Sequence, residues 1–400
     1  MYSSKVIVIL LLAYVLHTPA MLYAVENNED LQLHGFFSQA YIASDKNNFF
    51  GQSSGNGNFE YRELGINASY RIVNDLRVSA QVLSREAGKV SDGDPHVEYA
   101  LADYRLIDNP SLNGGVRLGR VKLPVGIYNE TRDVAHTRPG VLMPQSVYIS
   151  ALRDMLLAGD GGSLYMNSSS SLGRAGFSYH AGDPVFQEHG KKEFEYIIMS
   201  VDDPGEFEER PFKVFRFDYT SPGDLIRLAW TKALVDFVFR PAPTSFIPNG
   251  LIGIEANIYS LQLITEYVDF TYERMINEIM LNNFTPVVAD RVGYSDRHYL
   301  QIDYRFKENW NGYVRHDVTY KNSADRDGRK YEQQTGNPAH TQFAIDKTIG
   351  LRWSYSTNLL IGMEYHMIEG GAFLSIQENP DPSRISKDWE LFIVQVAYQF

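Results

Sequence analysis

The 400-residue chain contains no cysteine, so it has neither a disulfide framework nor a thiolate metal site. It also lacks a positive excess. Lys and Arg number 37 against 49 Asp and Glu, and the formal charge of −12 leaves no basic footprint for nucleic acid. Tryptophan is scarce, 4 residues against 26 tyrosines, and tyrosine suits surfaces that are apolar on one side and wet on the other. After the first two dozen residues no run approaches the ~20 apolar residues of a membrane-spanning helix. The mean hydropathy of −0.28 is too polar for a bundle of such helices, yet it suits a barrel with a polar interior. Enzyme signatures are missing too. The ten histidines are scattered, no His-Glu-x-x-His or Gly-x-Ser-x-Gly occurs, and Gly159-Asp160-Gly161-Gly162 is a lone glycine turn. No cofactor is implied.

What is present begins with an export signal. Lys5 supplies the positive charge, Val6 to Leu16 the apolar core, and Thr18-Pro19-Ala20 or Leu22-Tyr23-Ala24 the cleavage site. Residues 1–24 are assigned to the signal, with Ala24 preferred, and 25–400 to one barrel. An uncleaved anchor is the alternative, but the apolar run is short for a span.

From Leu31 onward the pattern has period two and keeps returning. In the cleanest hairpin Leu64, Ile66, Ala68, Tyr70 and Ile72 alternate with Glu63, Gly65, Asn67, Ser69 and Arg71. After Val73-Asn74-Asp75, Leu76, Val78, Ala80 and Val82 continue the apolar face. About sixteen strands are expected, near 31–43, 59–72, 76–85, 96–107, 114–121, 161–168, 172–181 and 211–220, then near 225–235, 250–258, 260–271, 294–306, 310–320, 342–355, 359–369 and 387–400. Short connections alternate with long ones such as Lys122–Asp160, Gly182–Arg210, Arg274–Arg291, Lys321–Thr341 and Gly370–Ser386. That sorting is what a transmembrane antiparallel β-barrel requires, with short periplasmic turns and long outer loops. A soluble sandwich could hide one apolar face equally well, but it has no reason to sort its connections. The fold class is all-β.

The terminal stretch places Phe392, Val394, Val396, Tyr398 and Phe400 on one strand face. This resembles the last strand of Gram-negative outer-membrane barrels, where a final Phe and alternating apolar residues form the signal for the barrel-assembly machinery. A second resemblance lies in Gly119-Arg120 and Lys122-Leu123-Pro124-Val125-Gly126. A strand ending in Gly-Arg-x-Lys-x-Pro-x-Gly before a long loop is similar to the segment ahead of the third outer loop in the porin superfamily, the phosphate-selective porins among its members. The resemblance implies a barrel of about sixteen strands in outer-membrane lipid, often a homotrimer, whose third loop folds into the lumen. It also implies passive diffusion of small hydrophilic solutes.

The residues of that loop, about 122–160, fit an inward position on their own terms. Val141, Leu142, Met143, Val147, Tyr148, Ile149, Met155, Leu156 and Leu157 are more apolar than a solvated loop needs. Its charges include Glu130, Asp133, Asp154 and Asp160 with Arg132, Arg138 and Arg153. Arg77, Arg105 and Arg117 are expected on the facing wall. Opposed charges of this kind orient polar solutes in a narrow passage. Arg120 and Lys122 are expected at the constriction as well, although strict alternation turns them toward lipid unless a bulge at Gly119 intervenes. Further down the lumen Arg77, Arg216, Arg227, Arg297, Arg315 and Arg352 mix with Asp103, Asp218, Glu255, Asp303, Asp317 and Glu364, so neither sign of ion is favoured. Two rival functions stand beside the channel: a non-conducting barrel acting as a surface receptor or adhesin, and an outer-membrane hydrolase built on Ser178 and His180, similar to the outer-membrane phospholipases.

Overall fold

The computed structural model describes residues 30–185, 187, 190–194, 205–241, 248–283 and 290–400. The export signal expected over residues 1–24 lies outside them. The strands are β1 (Leu31–Ser44), β2 (Asn58–Val73), β3 (Leu76–Ala87), β4 (Asp92–Asn109), β5 (Leu112–Lys122), β6 (Ala158–Ser170), β7 (Gly173–Pro184), β8 (Gly205–Glu209) and β9 (Phe212–Thr220). They continue as β10 (Ile226–Pro241), β11 (Gly250–Ile264), β12 (Val268–Asn282), β13 (Arg291–Lys307), β14 (Trp310–Tyr320), β15 (Phe343–Ser354), β16 (Leu359–Gly370) and β17 (Asp388–Gln399). Each pairs antiparallel with the next, except that β7 pairs with β9 and β8 with β10, and β17 pairs with β1, so the sheet closes on itself. β8 and β9 lie end to end against β10, broken at Arg210-Pro211, where proline has no N–H to give the ladder. The wall is therefore a closed barrel of sixteen strands.

Connections sort by end. On one rim the links are residues 74–75, 110–111, 171–172, 221–225, 265–267, 308–309 and 355–358. On the other they span 45–57, 88–91, 123–157, 185–204, 242–249, 283–290, 321–342 and 371–387. Alternation then decides which side chains meet which medium. Ile66, Val82, Leu118, Leu164, Leu300, Val314 and Ile349 lie exposed on the outside, Leu118 at 60%. In water so much apolar surface would invite aggregation; in a bilayer it is the lipid-facing belt. Near the short-turn rim Tyr70, Tyr104, Tyr219, Tyr304, Phe306 and Tyr355 are exposed, and Trp310 stacks on Trp353 at 5.1 Å between ring centroids. These rings belong at the headgroup level.

The core is inside the barrel, between wall and loop. Val141 and Leu142 pack with Ile42, Phe50, Tyr61, Trp389 and Ile393. Leu123, Val147 and Tyr148 pack with Phe212, Ile258, Met275 and Tyr299. Burying each of these large side chains stabilises the fold by about 1.5–3 kcal/mol.

One turn differs from its expected place. A break was expected near residue 259, with a long connection over Arg274–Arg291; instead β11 runs to Ile264, the turn is 265–267, and β12 runs to Asn282. Glu273 and Arg274 both lie within β12. Glu273 accepts buried hydrogen bonds inside the barrel, while Arg274 makes a two-pronged bond across to Asp296, at 3.0 and 3.1 Å.

Candidate functional site

Residues 123–157 leave β5 and pack against inward residues of strands all round the wall. Gly126 begins the inward course. Its φ of 60° is a conformation that favours glycine, and a Cβ there would collide with the Tyr148 hydroxyl. At that point Glu273 accepts from Tyr148 Oη (2.6 Å), Tyr299 Oη (2.7 Å), Ser260 Oγ (2.6 Å) and the Ile127 N–H (2.9 Å). Arg216 donates to the Gly126 carbonyl, and Gln262 to Tyr128 Oη at 2.9 Å.

The next stretch carries charge. Asp133 accepts from Lys122 Nζ at 2.6 Å and from the Gln81 amide. Lys122 also donates to the Glu130 carbonyl at 2.9 Å and lies over the Tyr99 ring. Arg138 donates to Glu63 at 2.6 Å and to Tyr61 Oη at 2.9 Å, with Arg85 on the other side of Glu63 at 3.5 Å. Arg153, which opens the five-residue helix α1 (Arg153–Leu157), pairs with Glu98; Glu98 also meets His96 Nε2 at 3.0 Å. Arg132 differs. It donates to the Tyr148 carbonyl at 3.2 Å and lies over that ring, but among the described residues it has no carboxylate partner. Burial, and then the Arg153, Arg85 and Arg138 guanidiniums, pull it down to about 9.

Beyond Arg138 the chemistry reverses, with the wall supplying the charge. Glu364 accepts the Val141 and Leu142 N–H groups at 3.2 and 2.8 Å, the Tyr313 hydroxyl at 2.6 Å and Arg315 at 3.2 Å. Asp317 accepts the Gln145 N–H at 2.6 Å and the Ser146 N–H at 3.3 Å. Gln301 donates to the Pro139 carbonyl at 2.7 Å, and Arg352 to the carbonyls of Arg138 and His136. Gly140 permits the approach, because a Cβ there would run into the Glu364 carboxylate.

The ten charged residues expected at the constriction thus divide. Lys122, Arg132, Asp133, Arg138 and Arg153 come together in the cluster just described. Arg117 and Glu130 join its margin, 3.8 Å apart, with Arg117 also 3.1 Å from Asp103. Three do not face the segment. Arg77 bonds Gln32 and Ser69, and Arg105 bonds Asp108 beside the short-turn rim. Arg120 stays on the outer face and forms a two-pronged pair with Asp160, both bonds 2.8 Å. Gly119 does take a φ of 119°, but the β4–β5 register runs through it unshifted, so no bulge turns Arg120 inward. Glu255, expected in the lumen, pairs with Lys232 at 2.7 Å on the face shared with exposed Tyr259. The terminal-strand residues Phe392, Val394, Val396 and Tyr398 lie in β17, between β16 and β1, and Phe400 exchanges backbone bonds with Gly35 at 2.9 and 3.1 Å.

Sequence inspection missed Glu63, Glu98 and Glu273 as anchors. Glu63 was visible only as a polar residue on the inward face, and Glu273 was lost with the misplaced turn. The candidate hydrolase pair is also rearranged. His180 Nδ1 lies 2.8 Å from Ser163 Oγ on the neighbouring strand, and the ring is fully buried beside Phe212 and Gly159.

No family model matches the chain, and no curated protein matches it. Solved structures do. Over 93% of this chain and 97% of the other, it is similar to the outer-membrane channel DcaP of Acinetobacter baumannii, with a TM-score of 0.59 at 12% identity. An OmpF of Salmonella typhi, solved with daunomycin, aligns over 92% of this chain and 97% of its own, with a TM-score of 0.55 at 13% identity. An anion-selective porin from Comamonas acidovorans gives 0.54 at 10% identity, over 92% and 99%. At these identities the likeness is one of fold. The chain has the fold of the outer-membrane porins, and a closed barrel of this kind with a lipid-facing belt belongs in the outer membrane.

Proposed function

We propose that the protein is a porin-like channel that passes small hydrophilic solutes or ions by passive diffusion. On this proposal residues 1–24 direct export, β17 carries the assembly signal, three copies associate, and residues 123–157 narrow the bore. The observation that carries the proposal is the tethering of that segment to opposite walls by Glu63, Glu273, Asp317 and Glu364. A tether from several sides holds a constriction at fixed width and sets cations and carboxylates across it. Passive flow needs no bond chemistry, in keeping with the enclosed Ser163–His180 pair.

Burial of Val141, Leu142, Val147 and Tyr148 gives the receptor its one supporting observation, because a segment packed this well can also plug a barrel. Single-channel recording of the refolded protein in planar bilayers separates the two. Steps in multiples of three, enlarged when residues within 127–158 are deleted, are expected for the channel. Silence at every voltage from protein shown to have inserted would leave a surface receptor.

A further inference from the structure

Two cations stand apart from the paired charges. Arg297 on β13 faces inward and is only 8% exposed, yet among the described residues its side chain has no hydrogen bond or ion pair, and its Nε is buried without a partner. Its cross-strand neighbour is Thr319 on β14. Two residues further on, just past the strand, the ammonium of Lys321 also has no hydrogen bond or ion pair among the described residues. Both cations line one cavity of 30 Å³, closed by Ala151 of the inward segment and by Phe373 and Leu374 of the 371–387 connection.

Nearby carboxylates are already committed. Asp317 holds the Gln145 and Ser146 N–H groups. Glu193, which also lines the cavity, accepts from Ser375 Oγ, the Ile376 N–H (3.3 Å) and the Gln377 N–H (3.2 Å). Burial, and then the Arg297 guanidinium, lower Lys321 to about 8, against the opposing pull of the Glu193 carboxylate. Leaving a buried guanidinium unpaired is expensive, and a mobile counter-ion removes that cost.

We propose that Arg297 and Lys321 form a binding site for one small inorganic anion of halide size, reached from the loop side of the barrel. Size decides the class. By the same measure roughly 10–15 Å³ is needed to hold one water, so 30 Å³ takes one small ion and excludes a sugar or nucleotide. Access follows from shared lining, since Lys321 and Leu374 also border a 560 Å³ vestibule among the loops. Arg297 supplies guanidinium donors from the wall and Lys321 a second charge from the rim. The site does not require the barrel to conduct.

The test is crystallographic. Full-length, detergent-purified protein is crystallised in sodium bromide, and data are collected at the bromine edge. An anomalous peak between Arg297 and Lys321, lost in both Arg297→Gln and Lys321→Met, is expected. A wild-type crystal without that peak overturns the proposal, as does a peak that persists in both variants. Should either variant fail to fold, wild-type thermal midpoints in chloride and in gluconate at equal ionic strength decide. A higher midpoint in chloride supports the site, because gluconate is too large for the cavity; equal midpoints overturn it.

Discussion

Residues 129–138 and 139–146 of the inward segment are held by opposite means. In the first stretch the segment brings Arg132, Asp133 and Arg138, and the wall answers Arg138 and Asp133 with Glu63 and Gln81. In the second the wall brings Glu364 and Asp317, and the segment meets those carboxylates with backbone N–H groups alone, its Pro139 and Leu142 carbonyls accepting from Gln301 and Arg315. Side-chain pairs can share a partner, as Arg138 and Arg85 share Glu63. A carboxylate that organises consecutive N–H groups fixes the path of the main chain itself. The second stretch should therefore be the more rigid and the costlier to disturb.

Glu364→Ala should have the largest effect. It strips two N–H groups and the Tyr313 hydroxyl of their acceptor and leaves Arg315 buried without its carboxylate, a loss of about 3–5 kcal/mol. Urea unfolding followed by heat-modifiable mobility in SDS gels would measure it. Gly140→Ala comes next, at about 1–3 kcal/mol, because the added methyl displaces the Glu364 carboxylate. Arg138→Met should cost about 1–2 kcal/mol, since Glu63 retains Arg85. If it cost more than Glu364→Ala in the same assay, the contrast between the two stretches would be reversed.

A pH effect separates both stretches from the outer loops. Glu378 accepts the N–H groups of Phe50 (2.9 Å), Gly51 and Lys89 (3.1 Å), tying three connections together. Burial, helped by nearby Glu193, raises it from 4.5 to about 7 against the pull of those N–H donors. A raised folded pKa gives stability that is complete below the unfolded value and is lost as pH rises through 7. Between pH 5 and pH 8 hydrogen exchange at residues 48–53 and 375–379, corrected for its intrinsic rate, should quicken by up to roughly seventyfold. Glu378→Gln should flatten that response. The smallest effects belong to Arg77→Ala and Arg105→Ala, which lie away from the segment. Neither should move the unfolding midpoint or the conductance.

The contrast between the stretches also explains what could be read beforehand. Period-two patterning and sorted connections revealed the barrel, because lipid outside and water inside impose alternation on every strand. The acid-base stretch was legible because its charges are its own. The Pro139–Ser146 stretch carries no charge, only glycine, proline, apolar residues, Gln145 and Ser146, and its carboxylate anchors sit more than 170 positions later, on strands whose register no local pattern supplies. Arg120 failed for a different reason. Alternation turned it outward correctly, and its bidentate pair with Asp160 made a bulge unnecessary.

The pairing of β17 with β1 has a consequence for how the molecule comes into being. Gln395 reaches Ser38 across 357 positions of chain, so the seam cannot form until nearly every other strand exists. Contacts so distant in sequence form slowly, because chain entropy is surrendered before they repay it. Until then both seam strands present unpaired edges that can recruit a neighbouring chain. An escort that masks those edges would remove the hazard during assembly. Once the seam shuts there is no free edge from which to fray, and the barrel should persist in detergent long after an open sheet of equal size had come apart.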